Sequence, residues 1–315
     1  MGERNWQQLR QAPAVLNLLS RRMAAPASVV VLAPAKVNLT LQVIGRRVDG
    51  YHELVSWVAP LDLCDELIID ASAGEGVALS CDSPGLESGR SNLVVRAAEA
   101  LAREAGVEPR LRIQLRKRIP IAAGLGGGSS DAAATIVALN RLWRLGWSRD
   151  RLAEIGAEIG SDVALFVIGM PCVIRGRGER VEPLRRGRQG AIVLFLPPFG
   201  VSTASVYDAL GPQDLGERPD PRRLMHLNAV ELSGQLFNEL EAAACRIEPR
   251  LDALRARLER CLERPVRMSG SGSALFAIFD DLDSANRCRQ RIDASDSGEF
   301  EIRVCSTWFS EPETA

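Results

Sequence analysis

Arg116–Leu139 reads RKRIPIAAGLGGGSSDAAATIVAL, four glycines and two serines set between a strand-like run and an alanine-rich run. Upstream, LRIQL alternates Leu111, Ile113 and Leu115 with polar residues, the period of a strand with one buried face. Downstream, SSDAAATIVALNRLW has no Gly or Pro and opens with Ser129, Ser130 and Asp131, residue types that accept hydrogen bonds from free N–H groups at a helix start. A strand therefore enters the glycines and a helix leaves them. Bare backbone at the mouth of a helix offers N–H donors beside the positive end of the helix dipole, which suits phosphate. The alternative is a glycine turn that packs a helix closely on a sheet. The unbroken small-residue run from Gly126 to Ser130 favours the ligand. The loop is not a Walker loop, because Gly128 is followed by Ser129-Ser130-Asp131 rather than Lys and then Ser or Thr. Nor is it a dinucleotide fingerprint, which counted from Gly124 and Gly126 needs Gly at 129.

The surrounding chain bounds the ligand. Its 315 residues, 46% hydrophobic and 25% charged, suffice for two domains with their own cores. The net charge is −1, with arginines interspersed among acids, so nothing points to nucleic acid or a membrane surface and a small molecule is expected. Seven scattered cysteines without a C-x-x-C pair, and histidines only at His52 and His226, predict neither a zinc site nor a disulfide framework. No apolar run approaches the about 20 residues of a membrane span, so a cytoplasmic location is expected. Residues 1–27 are polar, arginine-bearing and aperiodic, and lack the features of a secretory signal. They read as a disordered leader or tail, with Met23 as an alternative start.

Outward from the loop, KVNLTLQV (Lys36–Val43) alternates so that Lys36 and Asn38 share one face of a strand. Asp49-Gly50 is a turn that brings the chain back antiparallel, with Tyr51 and His52 just beyond it. SNLVVRAAEALAREAG predicts a helix from Ser91, and SRDRLAEIGAEIG another capped by Ser148. After about Arg186 come the strand GAIVLFL, the loop GPQDLGERPDP, helices in LFNELEAAACRI and PRLDALRARLERCL, the run VRMSGSGSALFAIF and a helix–strand finish. This is an α+β pattern with domains expected at 28–185 and 186–315.

Three ordered segments, APAKVNLTLQVIGRRVDGYHEL, PIAAGLGGGSSDAAATIVALN and RMSGSGSALFAIF, together resemble the superfamily of galactokinase, homoserine kinase, mevalonate kinase and phosphomevalonate kinase, the GHMP kinases. The resemblance implies a two-domain GHMP kinase fold: an N-terminal ATP-binding domain like the second domain of ribosomal protein S5, a ferredoxin-like C-terminal domain, and an active site in the cleft between them. The Lys-Val-Asn strand and the Asp-Gly-Tyr-His turn resemble the branch that phosphorylates the 2-hydroxyl of a cytidyl-diphospho sugar alcohol in non-mevalonate isoprenoid synthesis. In this reading Asp162 takes the proton of the hydroxyl, and Lys36 keeps that carboxylate ionised. Pro120, Ile121, Ala122, Ala123, Gly124, Leu125, Gly126, Gly127, Gly128, Ser129 and Ser130 wrap the ATP phosphates, with Asn92 and Lys117 near the adenine side. Tyr51 stacks on the cytosine, His52 bonds its edge, and Asn38 and Asp162 help hold the substrate. Ser130 is the expected Mg²⁺ ligand, and Ser269–Ser273 either closes on the phosphates from the second domain or is a strand-entry turn. Asp131 departs from the Asn that the family often carries there.

Each residue also has a plainer reading: Asp162 as the cap of a short helix, Lys36 as a solvated strand residue, Tyr51 and His52 as surface packing after a turn, Asn38, Asn92 and Lys117 as polar surface residues. The competing functions are another small-alcohol kinase of the superfamily and a non-catalytic nucleotide sensor on the same fold. The Tyr-His pair counts against the first, and the presence of both Lys36 and Asp162 against the second. Monomer and homodimer remain equally open.

Overall fold

A computed structural model describes residues 28–71, 75–184, 189–293 and 299–308; the expected leader, 1–27, lies outside them. Two long strands, β1 (Ser28–Arg46) and β2 (His52–Asp70), form the hairpin that organises the N-terminal half, closing at Arg46↔His52 around Gly50, whose φ of 86° needs glycine. Register shifts at Pro34/Lys36, Asn38/Thr40 and Val43/Gly45 bend the hairpin. The far half of β2 pairs with β4 (Arg110–Arg116), which pairs in turn with β3 (Gly76–Cys81); the near half pairs with β5 (Cys172–Gly176), followed by β6 (Arg180–Pro183). Helices α1 (Leu93–Ala105), α2 (Gly127–Leu142), α3 (Arg149–Ile159) and α4 (Val163–Ile168) supply the other layer. Leu67, Ile69, Leu111, Ile113 and Leu115 of the sheet meet Leu101, Ile136, Leu139 and Ile155 of the helices in one buried cluster.

From Gln189 the chain builds a second antiparallel sheet from β7 (Gln189–Leu196), β9 (Arg267–Met268), β10 (Leu275–Phe279) and β11 (Glu301–Trp308), in the order β11-β7-β10-β9. Around it run α5 (Thr203–Asp208), α6 (Ala229–Ser233), α7 (Glu241–Ile247), α8 (Pro249–Leu262) and α9 (Leu282–Asp293). Among the described residues two strand pairings return to the first half: β8 (Phe237–Asn238) pairs in parallel with Thr40 and Leu41 of β1, and Thr307 pairs with Leu61 of β2. Leu39 and Trp57 of the hairpin, Leu125 of the glycine loop, and Leu194, Phe276 and Ile278 of the second sheet share a further buried cluster. That seam holds the glycine loop at the junction of the two halves.

The strand entering the glycine loop, the Asp49-Gly50 turn, the Ser148 cap and the helix at PRLDALRARLERCL lie where the sequence pattern puts them. Helix starts differ. α1 is capped by Asn92 rather than Ser91, and α2 begins at Gly127 with no side-chain cap. Gly126 at φ 73° turns the chain into that helix by itself, so Ser129 and Ser130 fall inside the first turn and Asp131 just beyond it. LFNELEAAACRI is not one helix, because Phe237–Asn238 is drawn out to pair with β1.

Candidate active site

The neck of the glycine loop is tied by buried charges. Asp65 of β2, fully buried, accepts from the N–H groups of Arg118 and Ile119 (2.5 and 2.9 Å) at Oδ1 and from Lys117 Nζ (2.5 Å) at Oδ2. Lys117 Nζ also donates to Asp131 Oδ2 on α2 (2.8 Å), so one ammonium joins the strand entering the loop to the helix leaving it. Burial draws the Lys117 ammonium down, but Asp131 and Asp65 outweigh it and hold the group above its usual range. Burial pushes the Asp131 carboxyl up to about 7 against the pull of Lys117. Lys117 therefore lies beneath the first turn of α2, against Gly127, where a Cβ would come within 3.1 Å of Nζ. The extra negative charge of Asp131 turns inward to this ammonium.

The ascending limb is pinned through its backbone. The carbonyls of Ala123, Gly124 and Leu125 accept from Ala274 N (3.1 Å), Ser269 Oγ (3.0 Å) and Lys36 N (3.0 Å). Gly124, at φ 75°, has no room for a side chain, since a Cβ would land on the Ser269 carbonyl oxygen. At Gly126 it would lie 2.8 Å from the Phe166 ring and 3.2 Å from Lys36 Cε. The first N–H groups of a helix have no partner within it, and here they belong to the bare residues Gly127, Gly128 and Ser129. Ser130 Oγ and Asp131 Oδ1 are buried without a hydrogen-bond partner.

Below the loop, Lys36 is 4% exposed, which rules out a solvated strand lysine. Its Nζ donates to Asn38 Oδ1 (2.6 Å) and lies 3.6 Å from the Asp162 carboxylate. Asn38 in turn donates from Nδ2 to Ser56 Oγ (2.8 Å), so its amide orients Lys36. Asp162 occupies the cap position of α4, yet its side chain makes no cap hydrogen bond and is 30% exposed. The helix-cap explanation fails: this carboxylate faces Lys36 and open space. Buried lysine and half-open carboxylate form an ion pair at the edge of the loop.

A wall of side chains continues from Asp162. Tyr51 is 51% exposed, with the Arg177 guanidinium 5.3 Å from its ring centroid. His52 stacks on Tyr207 of α5 at 4.9 Å and 23°. Partial burial, with help from Arg46, holds the His52 imidazole below its usual value, and burial near Asp162 pushes the Tyr207 phenol up. The sequence reading missed Tyr207 and Asp65. Tyr207 had one signal, as the only tyrosine besides Tyr51; Asp65, an acid inside a strand, had none.

Other expected site residues are differently engaged. Asn92 Oδ1 accepts from Val94 N (2.9 Å) and Nδ2 donates to the Glu87 carbonyl (2.7 Å), which makes it the cap of α1, beside Gly128 through Leu93. The Ser269–Ser273 run is a buried turn that leads into β10, as the strand-entry reading expects. Ser269 Oγ is spent on Gly124, Ser271 Oγ meets Thr203 Oγ1 at 2.7 Å, and Ser273 Oγ donates to the Phe199 carbonyl. Asn238 Nδ2 holds that turn through the Met268 and Gly270 carbonyls, both at 2.8 Å.

Residues 92–170 match the GHMP kinases N terminal domain and residues 215–297 the GHMP kinases C terminal family. The 4-diphosphocytidyl-2-C-methyl-D-erythritol kinase of Pelotomaculum thermopropionicum is 39% identical over 272 residues, covering 85% of this chain and 95% of that protein. The chain belongs to the 4-diphosphocytidyl-2-C-methyl-D-erythritol kinase family. A crystal structure of 4-(cytidine 5'-diphospho)-2C-methyl-D-erythritol kinase, 37% identical, superposes with a TM-score of 0.74 over 89% of this chain and 99% of its own. The homoserine kinase of Cytophaga hutchinsonii, 18% identical with a TM-score of 0.67 over 94% of this chain and 99% of its own, shares the fold. Both halves of this member of the 4-diphosphocytidyl-2-C-methyl-D-erythritol kinase family are thus GHMP kinase domains in a two-domain α+β fold.

Proposed function

We propose that Asp162 is the general base and Lys36 its electrostatic partner in phosphoryl transfer from ATP, with the glycine loop as the phosphate cradle. The chain is an ATP-dependent kinase that phosphorylates the 2-hydroxyl of 4-diphosphocytidyl-2-C-methyl-D-erythritol, giving the 2-phosphate and ADP for isoprenoid precursors. The observation that carries the assignment of roles is the 3.6 Å pair of a buried lysine and an uncapped, half-open aspartate beside the loop. Phosphoryl transfer asks mainly for placement and charge compensation. The Asp162 carboxylate, 3.6 Å from Lys36 Nζ, accepts the hydroxyl proton, and Lys36 steadies the negative charge that grows on the alkoxide. The bare N–H groups of Gly127, Gly128 and Ser129 cradle the phosphates at the start of α2. Tyr51, His52 and Tyr207 form the wall for the base.

Mg²⁺ fits one observation, the buried and unpartnered hydroxyl of Ser130 on the first turn of α2. Among the described residues no cluster of His, Cys, Asp or Glu could hold a metal unaided. A magnesium ion would therefore be carried chiefly by phosphate oxygens and water, Ser130 adding one ligand, and would neutralise phosphate charge. Among the described residues no helix is long and apolar enough to cross a membrane, and dependence on ATP suits a cytoplasmic enzyme. The test is ADP release from ATP with a panel of alcohols: the cytidyl compound, methylerythritol phosphate, homoserine and mevalonate. Rapid turnover with the cytidyl compound alone is expected; preference for another alcohol would displace this reading.

A further inference from the structure

The turn between β5 and β6 spans the gap from Tyr51 to Asp162. At Gly178 the backbone presses against the catalytic corner: a Cβ there would lie 2.9 Å from the Ser161 carbonyl oxygen and 3.5 Å from Asp162 Oδ1. One residue earlier, Arg177 reaches the other way, to the Tyr51 ring. It is half-buried, and its Nη2 donates to the Ala157 carbonyl (3.3 Å) in the last turn of α3, where the helix dipole favours a cation. Among the described residues no carboxylate lies within ion-pair distance of Arg177, and Asp49 acts on it only at longer range. Neighbouring cations are already engaged: Lys36 by Asn38 and Asp162, Lys117 by Asp65 and Asp131, Arg47 by Asp49 and Glu53, Arg180 by Glu53. Arg46, beside His52, is exposed.

We propose that Arg177 binds the diphosphate linking the cytosine nucleoside to the sugar alcohol, an inference that rests on the functional reading above. With the base on the open face of Tyr51 and the acceptor hydroxyl at Asp162, the doubly charged linker crosses the 176–179 turn. The half-buried cation on that path is Arg177. Its planar fork offers two parallel N–H donors to phosphate oxygens, and its contact with Tyr51 holds it in place. The same contact leaves one face of the tyrosine free for the base.

The experiment compares inhibition by cytidine and by cytidine diphosphate, competing with the cytidyl substrate, in wild type, Arg177→Met and Arg177→Lys. Methionine keeps most of the stem packing, and melting curves check that each variant folds. Wild type should bind the diphosphate at least tenfold more tightly than the nucleoside. In Arg177→Met that ratio should fall to within about threefold while KM for ATP stays put, and Arg177→Lys should recover part of it. Equal weakening of both inhibitors would make Arg177 a support for Tyr51 and overturn the proposal, as would an unchanged ratio. Failure of wild type to phosphorylate the cytidyl substrate at all would instead overturn the functional reading, and this inference with it.

Discussion

The glycine loop, proposed to hold phosphate, and the wall proposed to hold the base meet at Asp162 but are built by opposite means. The loop is backbone: its carbonyls are pinned by Ala274, Ser269 and Lys36, its neck is locked by Asp65, Lys117 and Asp131, and side chains are excluded at Gly124 and Gly126. The wall is side chain: Tyr51, His52, Arg177 and Tyr207 come from the β1–β2 turn, the start of β2, the β5–β6 turn and α5, and Tyr51 is half in solvent. Triphosphate has the same shape in every ATP, so a rigid cradle of N–H groups serves it. A base must be told from other bases, and that takes side chains with shape and direction. Substitutions in the loop should therefore act on folding and ATP, and substitutions in the wall on the acceptor alone.

The largest effect is expected where the regions join. Asp162→Asn removes the base and leaves both surfaces intact, so kcat should fall by about 10²-fold or more with ATP binding nearly unchanged; near-normal turnover in a folded variant would reassign the base. Next is Lys117→Met, which leaves Asp65 and Asp131 buried without their cation and should cost about 3 kcal/mol of stability in denaturant titration. Asp131→Asn should cost far less, because burial already disfavours the ionised carboxyl and Oδ1 has no partner to lose. Equal losses in the two variants would mean that the cluster stabilises through packing rather than charge.

On the wall, Tyr51→Ala should remove about 1–3 kcal/mol of base stacking, read as a raised KM for the cytidyl substrate with KM for ATP unchanged. The smallest effect concerns pH. His52 has its folded-state pKa lowered, so its neutral form persists through its usual value of 6.5. The stability it lends is complete above that pH and is lost as pH falls through the lowered value. KM for the acceptor should stay flat from about pH 8 to 6.5 and rise only below; a rise beginning above 6.5 would show that His52 is already charged in the free enzyme.

The same contrast explains what the sequence made legible. The glycine run, the alternation that pairs Lys36 with Asn38, the Asp49-Gly50 turn and the cap at Ser148 are local signals, and each element lies where its signal is. The start of α2 came out two residues late because serines look like caps, whereas Gly126 makes the turn with its backbone. The tie of Lys117 to Asp65 and Asp131 is not legible in the sequence, because these residues become neighbours only when β2, β4 and α2 pack together. The bonds that hold Ser269–Ser273 are hidden for a similar reason: Gly124 and Asn238, which engage its polar groups, are distant in sequence. Tyr207 reaches His52 across the seam between the two halves, a contact that no local pattern encodes.

In the proposed division of labour one surface reads ATP, the other reads the cytidyl nucleotide, and Asp162 sits where they meet. Its most direct test is kcat/KM for the cytidyl-diphospho alcohol against methylerythritol phosphate, in wild type and Tyr51→Ala, with the product's new phosphate located by ³¹P NMR. A monoester on the 2-hydroxyl, a strong wild-type preference for the cytidyl compound, and a preference cut by about tenfold or more in Tyr51→Ala are expected. Equal use of both alcohols by wild type, or an unchanged preference in the variant, would contradict it.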